Sequence, residues 1–178
     1  MSKYDSFSRH PVKKRLSATL TRPTEGSPTQ YTAGDIVSDS LSAPTVNKLL
    51  GAALANGRGG TIKAVTLIDS AKLTTAGDFE LWLMSATYTA TNDNAAAALT
   101  DAQAKTVEAI ISLPGSGSFV TNAGADAAGN RVYQVKGIDK DFKCAAASKD
   151  LWWVLVARNA YTPVSAEEFT LLVDVEQR

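Results

Sequence analysis

Few residues in this sequence have the types and spacing that catalysis or metal binding requires. His10 is the only histidine and lies close to the amino terminus, and Cys144 is the only cysteine. A Ser-His-Asp triad, a Cys-His pair and a histidine-containing metal site therefore cannot be assembled from this chain. A single thiol cannot form an intrachain disulfide, and we expect Cys144 to be a small buried side chain. The sequence predicts no catalytic residue, no cofactor site and no metal site.

The acidic residues leave one enzymatic alternative open, because a glycosidase needs only two carboxylates about 5 to 9 Å apart. Sequence alone cannot measure that distance. Asp139 and Asp141 stand among lysines, a pattern that favours a solvated charged loop. The segment Asn92-Asp93-Asn94 offers oxygen ligands for calcium, but it lacks the glycine and the distal glutamate of a helix-loop-helix calcium site. A turn is the favoured interpretation of that segment.

Glycine-rich segments and tryptophans are the remaining candidates for binding chemistry. Segments 57–60 and 115–117 are not followed by the Lys-Ser/Thr pair of a phosphate-binding loop, and we interpret them as turns. Trp82, Trp152 and Trp153 could form a platform for a sugar or belong to the core. Because neighbouring side chains of a strand point to opposite faces, Trp152 and Trp153 cannot both face inwards. The outward one must be covered by a loop, a neighbouring subunit or a ligand.

Length and charge set the limits of the fold and of the partners. The chain has 178 residues, 44% of them hydrophobic, which suits one domain with a substantial core. Eighteen basic residues balance 18 acidic ones, so no global field favours nucleic acid or an anionic membrane. No stretch approaches the ~20 apolar residues of a membrane helix. The sequence therefore predicts neither nucleic acid nor membrane as a partner.

Residues 1–15 differ from the rest of the chain and predict an extended amino-terminal arm before a domain at 16–178. Serines and Pro11 interrupt any period, and five basic residues outweigh Asp5: Lys3, Arg9, Lys13, Lys14 and Arg15. Two interpretations stay open. The arm is either a disordered, solvated terminus or an extension that becomes ordered on a neighbouring subunit.

From residue 16 onward, short apolar segments alternate with turn signals. Alternation of apolar and polar residues, or a short apolar run, predicts strands near 16–21, 36–37, 62–68, 79–84, 107–113, 132–135, 151–157 and 169–175. Segment 46–55 fits a helix or a strand, and the turn-forming residues 56–60 favour a hairpin that pairs it with 62–68. Thr100 and Gln103 have the spacing of a capping box before a short helix.

Two strands near the carboxyl terminus are the clearest elements. Segment 151–157 is apolar at almost every position, which is typical of a strand covered on both faces, whereas 169–175 alternates. Many short strands with one short helix predict an all-β fold, an antiparallel β-sandwich of jelly-roll type. Crossover helices for a parallel sheet are missing.

The order of several segments resembles a family of small virion structural proteins of tailed bacteriophages. The segments that carry the resemblance are Leu20-Thr21-Arg22-Pro23, Tyr31-Thr32-Ala33-Gly34-Asp35-Ile36-Val37, Glu80-Leu81-Trp82-Leu83, Ala98-Leu99-Thr100-Asp101, Tyr133-Gln134-Val135, Phe142-Lys143-Cys144-Ala145-Ala146 and Arg158-Asn159-Ala160-Tyr161-Thr162-Pro163. They span roughly residues 16–178 and contain no catalytic motif.

The resemblance implies a protein that is not an enzyme and that decorates or cements a phage capsid. Its partner would be the major capsid protein, and its place the capsid exterior after synthesis in the host cytoplasm. The two-sided apolar run 151–157 exceeds what one sandwich face needs, and it predicts a homo-oligomer, a dimer or a trimer, that associates through this run. Candidate interface residues are Lys3, Arg9, Lys13, Lys14, Arg15, Trp152 and Trp153. A carbohydrate-binding module and a tail or head-tail connector protein are the alternatives.

Overall fold

The structure is a computed structural model that describes residues 10–71, 76–121 and 129–178. Strands dominate these ranges, and none of the helices in them is long and apolar enough to cross a membrane. The elements are β1 Val12–Thr21, β2 Ile36–Val37, β3 Asn47–Leu49, β4 Gly59–Asp69, β5 Phe79–Met84, α1 Asp101–Ala104, β6 Val107–Leu113, β7 Phe119–Val120, β8 Arg131–Lys143, β9 Leu151–Ala157 and β10 Glu168–Gln177.

The strands form two antiparallel sheets that face each other. The first sheet has the order β1-β10-β4-β8-β7, and the second has the order β2-β9-β5-β6, with β3 also paired to β9. Strands from the first half of the chain pair with strands from the second half in reverse order: β1 with β10, β2 and β3 with β9, β4 with β8, and β5 with β6. This nested pairing is that of a jelly roll, so the predicted fold class is confirmed.

Side-chain alternation places the core between the sheets. In β10, Phe169, Leu171 and Val173 are fully buried, while the residues between them face the outer surface. The inward-facing residues of β1, β4, β5, β6 and β9 supply most of the remaining inner layer. Phe79 lies at the centre of an aromatic group, with its ring edge-on to those of Tyr133, Tyr161 and Phe169 at 5.5 Å between centroids. Such edge-to-face contacts add to area burial.

Strand β9 is buried on both faces, as its composition predicts. Its inner face packs on the first sheet, and its outer face is covered by the connection between β5 and β6, residues 85–106, here called the covering loop. Tyr88 from this loop packs beside Met84 and Val154 and donates a hydrogen bond from its hydroxyl to the carbonyl of Trp153, at 3.0 Å. A loop of the same chain thus removes the outer apolar face from water.

The covering loop also occupies one edge of the second sheet. The N–H of Ile36 donates to the carbonyl of Ala95 at 2.9 Å, and the N–H of Ala97 donates to the carbonyl of Gly34 at 2.9 Å. Helix α1 lies in this loop and begins with the predicted capping box between Thr100 and Gln103. The opposite edge of the second sheet, among the described residues, is β6.

The predicted hairpin between 46–55 and 62–68 is wrong. β3 spans only three residues and pairs with β9, whereas β4 pairs with β10 and β8. Gly57, with φ of 69°, does form a turn, but Gly59 and Gly60 belong to β4. A Cβ atom would lie 2.0 Å from the carbonyl oxygen of Phe142 at Gly59 and 2.3 Å from that of Glu176 at Gly60. These two glycines serve close strand packing, not a hairpin turn.

The predicted arm needs a corrected boundary. Residues 12–15 belong to β1, where they pair with the end of β10 from Gln177 to Asp174. Residues 1–9 lie outside the described residues, so an arm there stays a prediction. Asp139 and Asp141 lie in β8 and not in a loop. A register shift opposite Lys63, with positive φ at Gly137 and Asp139, lets β8 continue through this charged segment.

Candidate functional site

Charged side chains gather at the end of the sandwich where β1 and β4 end and β5 and β10 begin, here called the acidic end. Acidic residues outnumber basic ones there among the described residues: Glu25, Asp35, Asp69, Asp78, Glu80, Asp93, Glu167 and Glu168 against Arg22, Arg131 and Arg158. Several of these side chains are buried. Buried ionisable groups are rare and mark either function or structural constraint, so they are the first candidates for a site.

Arg22 is the centre of a buried polar triad with Tyr31 and Asp93. The Arg22 side chain is 1% exposed and that of Asp93 is fully buried. Arg22 donates to the Tyr31 hydroxyl and to Asp93 Oδ2, each at 2.6 Å, and the Tyr31 hydroxyl donates to Asp93 Oδ1 at 2.6 Å. The N–H of Ser38 donates to the same carboxylate at 2.8 Å. Every group in the triad therefore has its partner inside the protein.

The triad joins three separate connections of the fold. Arg22 follows β1, Tyr31 precedes β2, and Asp93 comes from the covering loop. Arg22 also donates to the carbonyl of Val164 at 2.9 Å, which adds the connection before β10. Because Asp93 uses both carboxylate oxygens on these donors, it is not placed to bind calcium. Asn94, with φ of 57°, forms the turn that the sequence indicates.

A second buried cluster contains Asp69, Glu167 and Tyr161. Asp69 and Glu167 are each 1% exposed and share a hydrogen bond between their carboxyl groups. The Tyr161 hydroxyl donates to Glu167, whose other oxygen accepts from the N–H of Val164 at 3.0 Å. The Tyr161 ring is stacked on that of Tyr31, at 5.8 Å and 7°. The two clusters thus form one continuous buried polar layer across the acidic end.

Burial sets the protonation of this layer. It raises the pKa of the Asp69 carboxyl to about 9, and the hydrogen bond and negative charge of Glu167 add to the increase. Burial likewise raises the pKa of the Tyr31 and Tyr161 hydroxyls, next to the carboxylates of Asp93 and Glu167 respectively. Both hydroxyls therefore remain protonated and act as donors. At neutral pH the Asp69 carboxyl therefore keeps its proton.

This carboxyl pair does not have the geometry of a glycosidase. The two catalytic carboxylates of such enzymes stand about 5 to 9 Å apart, with a sugar between them. Asp69 and Glu167 touch through a hydrogen bond and are closed off from solvent. Sequence analysis missed this pair because Asp69 ends β4 and Glu167 precedes β10, far apart in the chain. Nothing in the local pattern distinguishes either residue from an exposed one.

The tryptophans do not form a sugar platform. Trp153 is fully buried in the core, so its assignment as an interface residue is wrong. Trp152 and Trp82 are half-buried on the outer face of the second sheet, under the covering loop. The Lys48 ammonium lies 5.1 Å from the centre of the Trp152 ring and covers one of its faces. Loop coverage, one of the alternatives left open by the sequence, therefore accounts for the outward tryptophan.

The basic candidates of the predicted arm have separate positions. Lys13, Lys14 and Arg15 lie in β1, and all three are exposed. The Arg15 guanidinium forms a two-point pair with Asp174, at 2.7 and 2.9 Å, and Lys14 donates to the carbonyl of Gly51 at 2.9 Å. Lys3 and Arg9 lie outside the described residues. The structure thus places three of the five basic candidates together, at the opposite end of the sandwich from the buried layer.

Cys144 is buried as expected, and burial raises the pKa of its thiol to about 11. A thiol with so high a pKa is almost wholly protonated at neutral pH and is a poor nucleophile. In the ranges that the structure describes, no group of three or more His, Cys, Asp or Glu residues is arranged to hold a metal ion.

Replacing Asp69 with Asn should change how stability depends on pH. The folded protein retains a proton near Asp69 that the unfolded chain releases near its ordinary pKa of 3.8, so stability falls as pH rises from that value towards about 9. The expected slope is about 1.4 kcal/mol per pH unit. In Asp69→Asn the amide donates to Glu167 permanently, and this slope disappears.

Urea unfolding of both proteins between pH 5 and 8 measures the difference. The stability of Asp69→Asn relative to the original protein should increase steadily across that range. Glu168→Gln, which neutralises an exposed neighbouring carboxyl, is the matched control and should give a curve parallel to that of the original protein. Parallel curves for Asp69→Asn as well would show that the buried pair holds no extra proton.

Replacing Arg22 with Met should destabilise the fold by about 3 to 5 kcal/mol, because it leaves the buried Asp93 carboxylate without its cation. The double variant Arg22→Met with Asp93→Asn should recover part of that loss, since no buried charge then remains. Arg15→Met removes an exposed pair and should leave the unfolding midpoint close to its original value. Equal losses for Arg22→Met and Arg15→Met in chemical denaturation would contradict a structural role for the triad.

Comparison with known proteins gives distant likenesses. No protein-family model matches the chain. No curated protein is significantly similar to it. A solved structure described as the capsid of Ralstonia phage GP4 is 14% identical, with a TM-score of 0.40, and the match covers 100% of this chain and 91% of that one. A chain of Desmodium yellow mottle tymovirus is 10% identical, with a TM-score of 0.30, over 94% of this chain and 88% of that one. Likenesses at these scores carry no functional argument.

Proposed function

We propose that this protein is a virion structural protein without enzymatic activity, which self-associates and binds the outside of a phage head across its major capsid subunits. The observation that carries the proposal is that the ionisable groups most capable of chemistry are buried inside the fold. Arg22, Asp93, Asp69 and Glu167 hold connections together and present no reactive atom to solvent. What the described surface offers instead is an open strand edge and a concentration of basic side chains.

The segments that carry the sequence resemblance support a structural role. Three of them contain Arg22, Tyr31 and Tyr161, which meet in the buried layer of the acidic end. The hydrogen bonds and the ring stacking of these residues connect loops to one another and leave no donor free for a ligand. Residues with this role maintain the conformation of the loops and do not bind a ligand. Jelly rolls serve viral capsid and lectin domains alike. The burial of Trp153 and the cover of the Trp152 ring by Lys48 disfavour the lectin alternative.

Self-association needs a different surface from the one that the sequence suggests. The apolar residues of β9 are covered within the chain, so they are not free to bind a second copy. β6 is the better candidate, because it is an edge strand without Lys, Arg or Pro to oppose pairing. Ile110 is 55% exposed there and lies beside a groove of about 350 Å³. The groove is lined by Trp82, Ala97, Leu99, Ala104, Val107 and Ile110.

Antiparallel pairing of two β6 strands about a two-fold axis at Ile110 would join the second sheets of two copies. Glu108 would then lie opposite Ser112 of the other copy, so no like charges meet. Such a contact would bring the two Ile110 side chains together on the outer face, beside the two apolar grooves. β6 is therefore the part of the described surface best suited to self-association.

Replacing Ile110 with Lys should abolish self-association without unfolding the protein. The ammonium group would have to be desolvated between two paired edges, an arrangement that natural edge strands use to prevent association. Light scattering at micromolar concentration measures the state, and circular dichroism checks the fold. The control is Phe119→Lys, since Phe119 is 54% exposed on β7 of the other sheet. A monomeric original protein, or an oligomeric Ile110→Lys variant, would remove β6 from the proposal.

Reconstruction of the intact particle tests the proposed place. We expect density for this jelly roll on the outer surface of the head, in contact with more than one major capsid subunit. Stabilisation would follow from linkage, because a protein that binds the assembled shell and not its separated subunits favours the shell. Density at the tail or at the connector would replace the capsid assignment with the alternative virion position.

A further inference from the structure

The balanced total charge of the chain conceals a separation of charge along the strands. At the end of the sandwich where β1 and β4 begin and β8 and β10 end, here called the basic end, basic residues outnumber acidic ones. They are Lys13, Lys14, Arg15, Lys48, Arg58, Lys63, Lys140, Lys143, Lys149 and Arg178, against Glu108, Asp139, Asp141, Asp150, Asp174 and Glu176. The acidic end has the opposite excess. A neutral protein therefore has a positive end and a negative end.

Strand register and connecting hydrogen bonds place these residues at one end. Lys13 pairs with Glu176 in β10, and Gly59 at the start of β4 pairs with Lys143 at the end of β8. The second sheet joins them through Glu108 of β6, which accepts from the N–H of Lys143 at 3.0 Å, and through the carbonyl of Gly51, after β3, which accepts from Lys14 at 2.9 Å. The basic residues of both sheets thus surround a single surface.

Part of this positive charge is not neutralised within the protein. Arg15, Lys63 and Arg178 form ion pairs with Asp174, Asp139 and Asp141 respectively. Within the described ranges, Lys13, Arg58, Lys140, Lys143 and Lys149 form no ion pair and are exposed. A groove of about 490 Å³ is lined by Lys13, Lys14, Arg15 and Lys63 together with Asp174, Val175 and Glu176. Of the cations that line it, Lys13 and Lys14 form no ion pair within the described ranges.

Exposed apolar side chains accompany the basic residues. Leu50 is 68% exposed, Val12 is 46% exposed and Leu54 is 42% exposed. Gly51, next to Leu50, accepts hydrogen bonds from Lys14 and from Gln177, the partner of Val12 in the sheet. Leu50 and Val12 therefore lie close to the same basic residues. Apolar contact area with charged groups around it is the composition of a protein-binding surface.

A protein partner fits this end better than a nucleic acid does. Phosphate binding requires a continuous positive surface, because each contact neutralises one backbone charge. Here Asp139, Asp141, Asp174 and Glu176 lie among the cations, where they would oppose phosphates at close range. Exposed leucine and valine side chains also gain nothing from a sugar-phosphate backbone. An acidic protein surface with its own apolar area can satisfy both features.

We propose that the basic end is the surface by which the protein binds an acidic protein surface, with the acidic end directed away from it. The identity of that surface as the outside of the head rests on the proposed function above. Opposite charges at the two ends would orient the molecule as it approaches, and complementary charge raises association rates and fixes register. The proposal depends on position and not on net charge, since the net charge is zero.

The test compares two variants that have the same net charge. Lys13→Gln, Lys140→Gln and Lys143→Gln together remove three exposed cations from the basic end. Ser27→Glu, Thr24→Glu and Thr29→Glu together add the same negative change at exposed positions of the acidic end. Circular dichroism checks that both variants fold. Binding is measured on heads stripped of this protein, at about 50 and 200 mM salt.

We expect the basic-end variant to bind about tenfold more weakly at low salt and to lose most of its salt dependence, and the acidic-end variant to bind within about twofold of the original protein. Equal weakening by both variants, or binding unchanged in the basic-end variant, would overturn the proposal. Failure of the original protein to bind heads would overturn the proposed function instead.

A second probe distinguishes failure of the basic-end proposal from failure of the proposed capsid function. The original protein should be retained on immobilised polyglutamate at about 50 mM salt, and only the basic-end variant should lose this retention. That result supports the basic end as a binding surface whatever the partner. No retention of the original protein would overturn it. If the original protein binds a short DNA duplex more tightly than polyglutamate, and the same variant loses this binding, the surface belongs to nucleic acid. That result would overturn the proposal of a protein partner.

Discussion

The two-sided burial of β9 is the constraint on which the rest of this structure depends. A strand with apolar residues on both faces needs two covers, and the first sheet supplies only one. The covering loop supplies the other, and its path determines much else. As it crosses the outer face it brings Asp93 to the end of β1. A buried carboxylate there requires a cation, and Arg22 provides it.

The polar layer of the acidic end follows from that first pair. Arg22 and Asp93 hold the Tyr31 hydroxyl between them, and the Tyr31 ring stacks on Tyr161. Tyr161 in turn donates to Glu167, which shares a hydrogen bond with Asp69. Each buried polar group is satisfied by the next, so the network closes without solvent. Asp69 stays protonated in such a layer because its ionisation would place a second negative charge beside Glu167 in a dry site.

Local patterns in the sequence predicted the strands whose two faces differ and the helix whose cap is encoded by two residues. The alternation in β10 and the Thr100–Gln103 pair are examples, since each depends only on neighbours in the chain. The assignments that failed depended on distant contacts. Gly59 and Gly60 resemble turn residues, yet they lie in β4. Their lack of a Cβ lets the backbones of β8 and β10 approach closely. The partnership of Asp69 and Glu167 is likewise created by the fold, from two positions that nothing in the sequence connects.

Charge shows most clearly why composition was a poor guide to surface properties. Equal numbers of acidic and basic residues exclude a strong net field, but they do not determine where each sign lies. Nested antiparallel pairing brings the starts of β1 and β4 and the ends of β8 and β10 to one end of the sandwich. Lysines and arginines from four distant parts of the chain therefore gather there. The same pairing sends Asp69, Asp78 and Glu167 to the other end, where burial takes some of their charge out of solution. A field that the composition excludes for the whole molecule thus exists at each of its ends, and it is produced by the strand order of the jelly roll.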